Sequence, residues 1–213
     1  MPIVWQSPLD VDRYAARGRD VDAPRPACPM CGGPTQRWHG YLRHLRDDVD
    51  RLIWIPRVRC TSCGVTRALL PSFVLPGRWD AVGALGQAAG LAASGLGHRP
   101  IAAALARPET TVRGWLRRLR SIAVPLASTL LARAVALGWS GLTLPVAPLP
   151  RLCAAVAALA GRWPGDRSAE PWSIAALVTG GTLLATNTTS PLAATTRSGA
   201  IARPAPKEAS HDP

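Results

Sequence analysis

The 213-residue chain carries 25 Lys+Arg against 13 Asp+Glu, a formal net charge of +12 and a pI near 11.2. That balance disfavours a neutral metabolic or acid-binding enzyme and favours a polyanionic partner, and the length suits one medium domain or two small modules. Of the basic residues only Lys207 is Lys, a bias toward Arg that suits phosphate and guanine recognition but that a GC-rich coding sequence also produces.

In chain order, residues 1–8 lack a positive segment followed by an apolar run, so no signal peptide is expected. Residues 1–27 mix Asp with Arg and end at Pro24 and Pro26, which reads as a flexible arm with one helical turn around 12–17. Residues 28–77 hold two cysteine pairs separated by β-type runs at 36–45 and 52–59, and read as a zinc ribbon. Pro56 is expected to place its strand at an edge or to end it. From Trp79 the pattern turns helical, with helices at 81–93, 100–106 and 108–122 forming a helix-turn-helix unit over 78–122. A C-terminal region, 123–187, follows with Ala/Leu helices near 123–138, 149–162 and 171–185. The Thr/Ser/Pro-rich tail, 188–213, is expected to be disordered. The fold class is therefore mainly α with a small β zinc ribbon. The apolar stretch 122–137 is broken by Pro125 and Arg133, and 172–185 is short, so no membrane span is expected. Paired cysteines without a secretion signal read as metal ligands, which puts the chain in the cytoplasm.

Cys28-Pro-Met-Cys31-Gly and Cys60-Thr-Ser-Cys63-Gly are two CxxCG turns. Two residues between thiolates let both sulfurs meet one ion, and the following Gly suits the tight turn. Cys28, Cys31, Cys60 and Cys63 thus predict a closed four-thiolate site for structural Zn2+. His39 and His44 lie between the pairs and offer nitrogen, but four thiolates already fill a tetrahedral site.

Residues 98–120 follow the spacing of a bihelical DNA-binding unit. Ile101, Ala102 and Leu105 make the inner face of its first helix. Val112, Trp115, Leu116 and Leu119 recur at i, i+3, i+4 and i+7 in the second and face the core. At about 100° per residue, Thr110, Arg113, Gly114 and Arg117 fall together on the opposite side, flanked by Thr111, Arg118 and Arg120. Thr110, Arg113 and Arg117 are expected to read bases, while Arg99, Arg107, Arg118 and Arg120 hold phosphates. The ribbon adds Arg57, Arg59 and Arg67. Ala106 occupies a turn position where such motifs often place Gly, so the turn must be made without a left-handed glycine or be rearranged.

The cysteine knuckles, with Arg57-Val-Arg-Cys-Thr-Ser-Cys-Gly-Val-Thr-Arg67, Leu69-Leu-Pro-Ser-Phe73 and the 111–118 stretch, resemble a mostly actinobacterial family classed as a domain of unknown function. That family is similar to the N-terminal zinc-ribbon and helix-turn-helix region of insertion-sequence transposases. The resemblance spans about residues 25–125 and extends loosely into 172–184. It implies zinc on the four Cys and DNA on the 113–118 helix, and no activity.

A carboxylate-type transposase needs three acids around two metal ions. After Arg120 the chain has only Asp166, Glu170, Glu208 and Asp212, and Asp47, Asp48 and Asp50 read as a solvated turn. Cys153 reads as a small core residue. No catalytic core is expected. The partner expected is double-stranded DNA, with no membrane and no small-molecule substrate. The C-terminal helices serve either as support or as a homodimer surface. The alternative is a protein-interaction accessory module, or a remnant of a mobile element, whose zinc ribbon binds protein.

Overall fold

The computed structural model describes residues 2–141, 143–164 and 170–183. Between the cysteine pairs, β2 (Thr35–Arg46) and β3 (Asp50–Cys60) form the expected antiparallel hairpin, and β4 (Thr66–Pro71) pairs with the other side of β3. A short strand that local pattern did not reveal, β1 (Ile3–Trp5), runs parallel to β4 and completes a sheet of order β1-β4-β3-β2.

This order makes β3 an interior strand, against the expectation from Pro56. The pairing jumps from Trp38↔Arg57 to Tyr41↔Ile55, so His39 and Gly40 together oppose the single Pro56. The missing proline N–H falls at a bulge, where the ladder has no bond to lose. Gly40 is required there because a Cβ would run into the indole of Trp54.

Residues 1–27 are not a loose arm. Asp10 caps α1 (Val11–Arg17) by accepting from the Arg13 N–H at 2.8 Å. Tyr14 on that helix is fully buried, packs edge-on against Phe73 at 5.2 Å and donates its hydroxyl to the Trp54 carbonyl at 3.0 Å. Trp5, Tyr14 and Val21 are spaced too widely to show a helical or strand period, yet all three enter the core.

Five further helices follow: α2 (Val82–Ala93), α3 (His98–Ala104), α4 (Glu109–Ala136), α5 (Pro148–Ala160) and α6 (Pro171–Val178). The two segments expected at 108–122 and 123–138 are one helix, so the anticipated boundary at 122/123 falls inside α4. Burial explains the continuity: Val112, Leu119, Ala123, Leu126, Leu130 and Ala134 keep a single buried stripe past Pro125. An interior proline costs about 3 kcal/mol, but Pro125 and Ser121, whose carbonyl loses its bond, are both exposed, so water can take up that acceptor. An unbroken α4 also contains an 18-residue stretch of mean hydropathy 1.3, long and apolar enough by length and composition to cross a membrane. In this fold its buried stripe packs on α3 and α5. α6 ends earlier than expected, at two left-handed glycines, Gly180 and Gly181. The tail over 188–213 lies outside the described residues.

Candidate metal centre and basic helix face

Each cysteine knuckle is closed by its own backbone. The Gly32 N–H donates to the Cys28 carbonyl at 2.8 Å, and the Gly64 N–H to the Cys60 carbonyl at 3.1 Å. Both glycines sit at φ +72°, which a side chain would strain. The Thr61 N–H and hydroxyl both donate to the Pro34 carbonyl, at 3.0 and 3.1 Å, and hold the second knuckle against the first.

The result brings Cys28, Cys31, Cys60 and Cys63 together, with all four sulfurs within 4.8 Å of one another. Cys28 and Cys63 are 3.6 Å apart, and Cys31 and Cys60 are 3.5 Å apart. A tetrahedron with metal–sulfur bonds of about 2.3 Å has edges of about 3.8 Å, so the cluster can hold a metal ion, consistent with zinc. His39 and His44 are not part of it: they pack against Trp38 and Trp79.

The electrostatics point the same way. The Cys63 amide, helped by that of Ser62, pulls the Cys60 thiol down to about 6. Amides of Met30 and Cys31 lower Cys28. The Gly33 amide also favours the Cys31 thiolate, but the Cys60 and Cys63 sulfurs outweigh it and push Cys31 up to about 12. Four sulfurs this close cannot all ionise unless a cation balances them, and a divalent ion removes that conflict.

On α4 the expected two-sided pattern is present. Val112, Trp115, Leu116 and Leu119 are buried, while Thr110, Arg113, Arg117 and Arg120 are exposed on the far side. Thr111, Gly114 and Arg118 are half-buried along its edge. Arg99, exposed on α3, lies 3.5 Å from Glu109 in the first turn of α4. The connection between the helices keeps its expected length. Ala106 itself takes the left-handed conformation, φ +49°, the sole non-glycine to do so among the described residues. The Arg107 N–H then closes the end of α3 on the Ala102 carbonyl at 2.9 Å.

Arg107 is not on the outer surface, where the expected phosphate contact would need it. Its side chain is 6 % exposed and its Nε donates to Asp80 at 2.8 Å. The remaining guanidinium nitrogens donate to the carbonyls of Leu105, Ala106 and Asp47. Asp80, 8 % exposed, also accepts from Arg46 at 2.9 and 3.2 Å. One carboxylate therefore joins the end of β2 to the α3–α4 turn. Pulling Arg107 outward would leave the buried Asp80 carboxylate with Arg46 alone. Sequence reading missed Asp80, although a signal existed: it is the lone acid in the whole of 51–108, set among apolar residues. Charges buried in such surroundings require a partner.

The three acids of the β2–β3 turn are also placed, with Asp50 exposed at the start of β3. Asp48 pairs with Arg51 at 2.5 Å in a solvated turn, as expected. Asp47 is half-buried, and burial holds its carboxyl above the usual range. Cys153 is half-buried on α5.

Residues 28–90 match a family described as a domain of unknown function, DUF6431. The matched stretch contains both cysteine pairs, β2 to β4 and most of α2, and stops before α3 and α4. No curated protein and no solved structure matches the chain.

Proposed function

We propose that this chain is a zinc-containing helix-turn-helix protein that binds double-stranded DNA, related to the non-catalytic N-terminal part of transposases. The observation that carries the reading is the outer side of α4, where Thr110, Arg113, Arg117 and Arg120 project to solvent opposite a fully buried stripe. A short helix followed at a tight turn by a longer one, with Thr and Arg outward at the start of the second, is the arrangement a major-groove reader needs. Arg113, Arg117 and Thr110 contact bases, with Thr111 and Gly114 at the edge of the same surface. Arg99, Arg118 and Arg120 hold phosphates.

The four thiolates hold structural zinc in this reading. They supply a complete closed tetrahedron, so the ion stabilises the ribbon and keeps no open position for chemistry. No catalytic role is assigned, and the protein works in the cytoplasm on the nucleoid. α5 and α6 pack on α2 and α4 within one chain, which favours support over a dimer surface.

Fluorescence anisotropy of a labelled random duplex at low and moderate salt tests the DNA reading. Micromolar or tighter binding that weakens with salt supports it. The absence of duplex binding, with zinc bound, would favour a ribbon that docks on protein. Elemental analysis tests the metal: one zinc per chain is expected, lost in Cys60→Ser. A correctly folded chain free of zinc contradicts it.

A further inference from the structure

The ribbon carries a surface, including the Arg57 and Arg59 expected above to add phosphate contacts, that the duplex reading of α4 does not need. Opposed residues in an antiparallel ladder point to the same side of the sheet. The pairs Trp38↔Arg57 and Gln36↔Arg59, continued by Arg57↔Ala68 and Arg59↔Thr66, therefore share one face at the knuckle end. Tyr41, opposite Ile55, lies on that face just beyond the bulge. Trp38 and Tyr41 are 39 % and 42 % exposed, a large outlay of aromatic surface in a chain with 11 aromatic residues.

Both arginines are held in place. The Arg59 guanidinium lies over the Trp38 ring at 4.9 Å, and Arg57 donates to the Thr66 hydroxyl at 2.8 Å. Tyr41 borders a shallow hollow of about 380 Å³ that is also lined by Arg43, Thr66 and Ala68. The opposite side of the sheet is covered there by the N-terminal segment, with Arg19 over Trp54 and Asp22 on Arg37.

Charge is sorted along the hairpin. β2 and β4 contain no acid, and the acid of β3, Asp50, is its first residue, at the turn with Asp47 and Asp48. On this face the knuckle end thus presents flat aromatic rings among cations with no carboxylate from the strands, and it suits a ligand that is both anionic and π-faced. Unpaired nucleotides have both properties, and their sugar–phosphate backbone would follow Arg57 and Arg59 while bases stack on the rings. An acidic peptide would use the cations but waste the aromatic faces.

We infer that this face binds single-stranded DNA. The choice of DNA over RNA rests on the duplex reading of α4; the stacking surface does not. A strand opened beside a duplex held by α4 would be the source.

The test is anisotropy of labelled dT15, which cannot form duplex, with U15 in parallel. Wild type is expected to bind dT15. Trp38→Ala should weaken it roughly 5- to 100-fold, the range of one lost base stack. Tyr41→Ala and Arg59→Ala should each weaken it too, and Trp38→Phe should recover most of the loss. The double variant Arg113→Ala/Arg117→Ala should leave dT15 binding unchanged while abolishing duplex preference, so failure of either reading shows separately. Zinc content establishes that each variant keeps its ribbon. No dT15 binding, binding of U15 alone, or Trp38→Ala and Arg59→Ala variants that bind dT15 as wild type would overturn the proposal.

Discussion

At the α3–α4 turn, Arg107 is enclosed by Asp80 and three carbonyls. Ten residues along the chain, Arg117 stands in solvent. Among the described residues Arg113, Arg117 and Arg120 form no ion pair, whereas Arg46 and Arg107 converge on one buried carboxylate. The two sites have the same residue type and opposite surroundings. What separates them is a carboxylate within reach, not the density of charge along the sequence. Basic composition therefore overstates the surface available to a polyanion, and the node at Asp80 must be subtracted before any contact is assigned to DNA.

Removing Asp80 should have the largest effect on this contrast. Asp80→Ala leaves Arg107 buried without its partner and is expected to cost about 3–5 kcal/mol in chemical denaturation. A loss below about 1 kcal/mol would place Arg107 with the surface arginines. Arg117→Ala is expected to behave in the opposite way. Its stability should change by less than about 0.5 kcal/mol, while duplex affinity should fall by about 1–3 kcal/mol with relaxed base preference in a competition assay. Equal affinity for all duplexes before and after substitution would contradict its role as a base reader.

The turn between the two regions gives a smaller handle. Ala106→Gly relieves a left-handed alanine and should raise stability by about 1 kcal/mol, seen as a higher Tm, with duplex binding intact. A drop in Tm would show that Ala106 contributes more through packing than it loses in strain. Smallest is Glu109→Gln. Its pair with Arg99 is exposed and screened, so the stability change should stay within about 0.5 kcal/mol. Duplex binding should tighten slightly because Arg99 no longer shares its charge.

The legible parts were those written in short-range pattern. Two CxxCG turns with an intervening hairpin located the metal centre, and the i, i+3, i+4 spacing of Val112, Trp115, Leu116 and Leu119 assigned the two sides of α4 correctly. What escaped depended on partners distant in sequence. β1 exists because β4 offers a parallel edge more than sixty residues away, and Tyr14 is a core residue because Trp54 and Phe73 receive it. Pro56 is tolerated in an interior strand because a bulge forms across from it. Arg107 matched the basic motif by position, and only the fold brings Asp80 beside it.

The central claim is that the outer arginines of α4 and Arg99 meet duplex phosphates and bases while Arg107 does not. The most direct measurement is duplex affinity against salt concentration. The three arginines held on phosphates, Arg99, Arg118 and Arg120, give an expected log–log slope near −3 at about 0.9 per contact, against near −4 if Arg107 made a fourth. Arg107→Lys, which preserves a buried cation for Asp80, should leave that slope unchanged, and Arg120→Ala should reduce it by about 1. A flat salt response, or a slope that falls with Arg107→Lys and not with Arg120→Ala, would contradict the account.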